Sequence, residues 1–162
     1  LLPIHATLVP MFILMKNLDL LNRPYTLLFP YIAFHLPITI FILTSFMKSF
    51  PKSIEESAMM DGCGIFRRFW SIILPMSRPA LATVIILNFI YNWNEFSFAL
   101  VLINNPEYQT LPLGLASFAG QFTTNYGAQM AGLTMSIIPI IIFYLIFEKN
   151  IVKGMTAGAV KD

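Results

Sequence analysis

Charge is scarce in this sequence. Only 11% of its 162 residues are Asp, Glu, Lys or Arg, against about 25% in an average soluble domain. So few charges cannot clothe a water-soluble globule, and a disordered chain would need more of them. The single cysteine, Cys63, excludes a disulfide scaffold. A net charge of +2 is too small to point to nucleic acid. There is no G-x-x-x-x-G-K-[ST] stretch, hence no phosphate-cradling loop. His, Cys, Asp and Glu do not fall at metal-ligand spacing, and no Ser-His-Asp or Cys-His set is present. The start has no basic segment and no small-residue cleavage site, so no signal peptide is read there.

Apolar side chains are abundant instead: 57% of the residues are hydrophobic, and the mean hydropathy is +0.72. The expectation is an integral membrane protein. Four apolar stretches carry it, at residues 1–15 and about 25–46, 81–103 and 127–147. At about 1.5 Å per residue, each of the last three can cross a hydrocarbon core of about 30 Å. In lipid the backbone must satisfy itself, so these spans should be helices. The first is too short, which reads as a truncated helix of a longer chain.

The connections are unlike one another. Residues 16–24 form a short polar link, and residues 104–126 a polar loop without Lys or Arg. If the chain crosses four times, Lys48, Lys52, Arg67, Arg68, Arg78, Lys149, Lys153 and Lys161 share one face. Only Lys16 and Arg23 lie on the other. That bias makes the first face, with the C-terminus, cytoplasmic.

The segment 48–79 on that face has its own pattern. Ser53 and Glu56 form an S-x-x-E capping box, predicting a helix start at Ser53. Ile54, Ala58 and Met59 would make its apolar face, while Glu55, Glu56 and Asp61 supply acid. Gly62 and Gly64 would stop it. A second short helix, 66–73, would present Phe66, Phe69, Trp70 and Ile73 as a stripe before Pro75 and Pro79. Such a helix–glycine–helix unit can dock into a partner's groove or lie on lipid. Arg67-Arg68 beside Phe69-Trp70 reads as meeting headgroups or a partner, not nucleic acid.

Within the spans, Asn88, Asn92 and Glu95 fall at i, i+4, i+7 on one helix face. They are candidates for a polar substrate pathway; the bland alternative is that they bond between helices. His35, between Pro30 and Pro37, and His5 read as structural. Pro139 is expected to bend the last span, and Ala128, Ala131 and Gly132 to let helices approach closely.

The segment resembles the EAA motif of ABC-importer permeases, E-A-A-x3-G-x9-I-x-L-P. It reads Glu56, Ser57, Ala58, then Gly62, then Ile72, Leu74 and Pro75, every spacing matched and Ser57 standing for the middle alanine. Asn92-Trp93-Asn94-Glu95-Phe96 and Gly154-Met155-Thr156-Ala157-Gly158 resemble the carbohydrate branch, the maltose-type and glycerol-3-phosphate-type permeases.

The resemblance implies an all-α polytopic bundle of the type I ABC importer kind, with its N-terminal spans missing here. It implies a second permease subunit, an ATPase dimer that holds ATP and Mg, and an extracytoplasmic solute-binding protein docking on the outer side, all in a bacterial inner membrane. Glu56, Ser57, Ala58, Asp61 and Gly62, with Ile72, Leu74 and Pro75, would couple to the ATPase. The tail residues Gly154, Thr156 and Gly158 would also reach it. No cofactor belongs to this chain. Two rivals stay open: an ion-coupled secondary transporter using Glu95 and His35, and a non-transporting scaffold.

Overall fold

A computed structural model describes residues 3–118 and 125–157, with residues 148–157 as backbone alone. The described residues are mostly helical and contain no strand. A short 3₁₀ turn at Ile4–Thr7 leads into α1, Leu8–Asn17. The long helix α2 covers Leu28–Met47. Then come α3, Lys52–Met60, and α4, Ile65–Arg68. A five-residue π turn at Phe69–Ile73 joins α4 to α5, Leu74–Met76. After them come α6, Arg78–Trp93; α7, Ser97–Leu102; α8, Leu111–Ala116; and α9, Tyr126–Ala157.

Among the described residues, two helices are long and apolar enough to cross a membrane. They are the 20 residues Leu28–Met47 and the 22 residues Tyr126–Phe147, of which 6% and 0% are buried within the chain. A helix apolar on all sides and this exposed needs lipid or further helices around it. A third span exists if Ile65–Met76 and Arg78–Trp93, bent by 69°, count as one.

Backbone contacts divide the chain into two compact units. One holds Leu1–Leu36 and Phe89–Ile142, the other Pro37–Asn88 and Phe143–Asp162. The basic residues divide in the same way. Lys16 and Arg23 fall in the first unit, and the other eight named above fall in the second.

The first unit holds two buried apolar clusters. Met15, Phe98 and Leu102 are buried together, with Phe12, Tyr31 and Phe34 packed on them. The rings of Phe34 and Phe98 stack with centroids 5.2 Å apart. Ala99, Ile103 and Leu113 form a second cluster, against Leu27 and Tyr108. The polar link before α2 is an ordered turn: Asp19 and Asn22 adopt left-handed φ values of 53° and 55°, a region that Asp and Asn tolerate better than most residues. Asn22 Oδ1 accepts hydrogen bonds from the backbone N–H groups of Asn104 and Asn105. Thr26, fully buried, donates its hydroxyl to Leu20 O at 2.7 Å and accepts from Arg23 N at 2.8 Å.

The first apolar stretch contains a ten-residue helix, Leu8–Asn17, too short to cross, as its length led one to expect. Other expectations differ from what the fold shows. The stretch 81–103 is not one helix: α6 ends at Trp93 and α7 starts at Ser97. The side chain of Asn94 bonds back to Ile90 O at 2.8 Å, the kind of local competition that ends helices. The loop 104–126 is not irregular throughout, since Leu111–Ala116 is helical and buries Leu113 and Leu115. The last helix also runs on into the tail, through Ala157.

Candidate functional site

The segment between α2 and α6 is built on two devices. The first is the end of α3. Gly62 N donates to Met59 O and Cys63 N to Ala58 O, both at 3.0 Å. These are the paired bonds of a Schellman motif, which needs a left-handed residue just past the helix. Gly62, at φ +72°, is that residue. A Cβ there would meet nothing within 4 Å, so the demand is conformational and not steric.

The start of α3 departs from the capping-box expectation. The N-cap is Pro51, with extended backbone, and it makes no side-chain cap bond. Proline's fixed φ sets the helix start one residue later, so Ser53 lies inside the first turn and cannot cap.

The second device is the bend. Pro75 lacks an N–H, and its ring would clash with the carbonyl four residues back in an α-helix; the π turn Phe69–Ile73 lies there. Ser77, fully buried at the bend, donates its hydroxyl to Ile73 O at 2.7 Å, and its N–H bonds Ile73 O and Leu74 O. The I-x-L-P half of the motif, Ile72, Leu74 and Pro75, is half-buried across this turn.

The two devices bring the halves of the motif together. Ser53, Ile54, Ser57, Ala58 and Asp61 share the wall of one shallow groove with Ile72. Ala58 is only 5% exposed. It packs largely against its own chain. The expected apolar face is corrected at Met59, which is 51% exposed and does not belong to it. Opposite Ile54 and Ala58 lie Glu56 and Met60, four residues apart on the outer side. Met60 is 89% exposed, and Glu55, Glu56, Ser57, Asp61 and Gly62 are exposed too. Met60 escaped the sequence reading, although its position a half-turn from Ala58 marks it as an apolar residue with no inward place.

The pathway candidates separate. Asn88 donates its Nδ2 to Thr39 Oγ1 at 3.0 Å. Asn92 is half-buried, and among the described residues its Oδ1 has no partner. Glu95 lies beyond the end of α6, so it shares no continuous helix face with the other two. Its Oε1 accepts from Phe98 N at 2.7 Å and its Oε2 from Ala99 N at 3.2 Å. Oε2 also accepts the phenol of Tyr31 at 2.9 Å. The carboxylate thus caps α7 and ties it to α2. His35 stands between rings, stacked on Tyr91 at 5.7 Å and edge-on to Tyr31 at 6.5 Å. Trp93 stacks on Phe89 and donates its Nε1 to Ser136 O at 3.1 Å. Of the tail candidates, Gly154 and Thr156 lie in the helical backbone of α9, and Gly158 lies outside the described residues.

Comparison with known proteins agrees with this architecture. The family model described as "Binding-protein-dependent transport system inner membrane component" matches residues 1–157. An ABC transporter permease protein of Caldicellulosiruptor sp. (strain Rt8B.4) is 48% identical over 160 residues, covering 99% of this chain and 58% of the relative. The trehalose/maltose transport system permease of Thermococcus litoralis is 40% identical over 152 residues, 93% of this chain and 55% of that protein. A chain in the crystal structure of a bacterial ABC transporter involved in import of the acidic polysaccharide alginate superposes with a TM-score of 0.70. It is 30% identical, and the match covers 90% of this chain and 59% of that one. The chain therefore spans a little over half the length of the relatives it matches.

Proposed function

Since this chain belongs to the family of binding-protein-dependent transport system inner membrane components, we propose that it works as a permease subunit of an ATP-driven importer. Its cargo is a sugar or sugar-like solute handed over by an extracytoplasmic binding protein. The relatives named for trehalose/maltose and alginate support the substrate class. The second unit, with its eight Lys and Arg, is the cytoplasmic one by the positive-inside rule, and the C-terminus lies on that side.

One observation carries the coupling role: α3 turns Ile54 and Ala58 onto its own chain while presenting Glu55, Glu56 and Met60 outward. A short helix held from behind and bare in front is a lever for a partner's cleft. The partner is the ATPase dimer, which holds ATP and Mg. In this reading Glu56, Ser57, Asp61 and Gly62 meet the ATPase, while Ala58, Ile72, Leu74 and Pro75 keep α3 at a fixed angle to α6. ATPase closure would move α3 as a rigid piece and rock the spans between inward- and outward-facing states. Gly154, Thr156 and Gly158 are a further ATPase contact, and a second permease subunit completes the pathway. The ion-coupled reading has less support, because Glu95 is occupied as a cap and His35 by rings.

The test contrasts the two faces of α3. Glu56→Lys, on the outer face, should leave chain stability within about 0.5 kcal/mol but abolish substrate-stimulated ATP hydrolysis or release the ATPase on purification. Ala58→Leu, on the inner face, should destabilise the segment by about 1–3 kcal/mol through overpacking. Wild-type stimulated hydrolysis in the Glu56→Lys complex would overturn the assignment.

A further inference from the structure

The helix after Gly64 carries a surface unlike that of α3. Ile65, Phe66 and Trp70 are 69%, 80% and 65% exposed, and Phe69 is 40% exposed. At about 100° per residue, Ile65, Phe66, Phe69 and Trp70 cover one arc, and Arg67 and Arg68 leave the helix on either side of it. An apolar, aromatic arc flanked by arginines is the pattern of a helix lying in a membrane interface. The angle agrees. The segment Ile65–Met76 meets Arg78–Trp93 at 69°. With α6 standing along the membrane normal, a helix at that angle to it runs nearer to the membrane plane than to the normal.

We propose that Ile65–Trp70 is a binding site for anionic phospholipid in the cytoplasmic leaflet. Phe66 and Trp70 sink to the acyl boundary, and Arg67 and Arg68 pair with headgroup phosphates while their stems cover the apolar arc. Charge complementarity selects this occupant. The neighbouring α3 exposes Glu55 and Glu56, which the same leaflet repels, so the two short helices are sorted to different surroundings. The anchor would hold the far end of the lever in the membrane plane while α3 is moved from below. The site rests on the permease reading for its placement in the cytoplasmic leaflet.

The experiment places the photo-crosslinker p-benzoylphenylalanine at position 66, 70 or 60 of the chain in its assembled transporter. The complex is reconstituted in phosphatidylcholine vesicles containing a minority of radiolabelled phosphatidylglycerol. Positions 66 and 70 should capture lipid, with phosphatidylglycerol enriched several-fold over its mole fraction. Arg67→Gln with Arg68→Gln should bring that enrichment down to the mole fraction, and the double lysine variant should keep it. Capture of polypeptide at 66 and 70, or of lipid in simple proportion to composition, overturns the proposal. Position 60 tests the coupling reading separately: it should capture the ATPase, whatever positions 66 and 70 find.

Discussion

Tyr31 and Glu95, 64 positions apart in sequence, are joined by a 2.9 Å hydrogen bond from the phenol to Oε2. The same carboxylate closes the first turn of α7 through Phe98 N and Ala99 N. One side chain therefore ends the gap after α6, starts the next helix and fastens it to α2. Glu95→Ala would strand two backbone donors and the phenol. Its cost should be about 2–4 kcal/mol, since an unsatisfied buried donor loses about 1–3 kcal/mol. Tyr31→Phe removes one charge-assisted bond and should cost about 1.5–3 kcal/mol. Thermal unfolding of the detergent-solubilised complex measures both. The double variant should cost clearly less than the two singles together, because they break one network. Additive costs would show that the bond is not formed.

Gly62 supports a sharper contrast between shape and conformation. Gly62→Ala places a methyl group in open space but in a left-handed backbone that disfavours it by about 1–2 kcal/mol. The end of α3 should fray, lowering the coupling efficiency measured as substrate transported per ATP hydrolysed. Gly62→Asn should recover part of the loss, because Asn tolerates that backbone. If alanine and asparagine behave alike, the left-handed turn is not what this position supplies.

The two uninterrupted apolar helices were legible in the sequence because a long apolar run without charge has one physical solution in lipid. The glycine stop after α3 was legible for a similar reason, as few residues accept φ +72°. The break at 94–96 was not. Phe98, Ala99 and Leu102 are as apolar as a span, and they are buried here by a protein core instead of lipid. Only the register of Glu95 against two later N–H groups distinguishes the cases, and that is a tertiary fact. The capping box failed because Pro51 set the helix start before Ser53 could. That Ala58 shares a groove with Ile72 was not legible, because it depends on how the chain folds back between them.

Gly132 shows how a small residue expected to let helices approach finds its partner in a segment expected to be loop. It lies on α9, and a Cβ built there would collide with Cδ2 of Leu115 on α8. Leu115 is 8% exposed, so its side chain can turn aside only by giving up packing. Gly132→Ala gains helix propensity of about 1 kcal/mol on α9 but should lose more from the collision, for a net destabilisation of about 1–2 kcal/mol. Gly132→Val should be worse. Leu115→Ala alone opens a cavity and should cost about 2–3 kcal/mol. Combined with Gly132→Ala it removes the clash while keeping the propensity gain, so the double variant should be more stable than Leu115→Ala. Melting temperatures of the four proteins, measured in one detergent, decide the matter. A Gly132→Ala protein no less stable than the parent would mean that Gly132 and Leu115 do not meet.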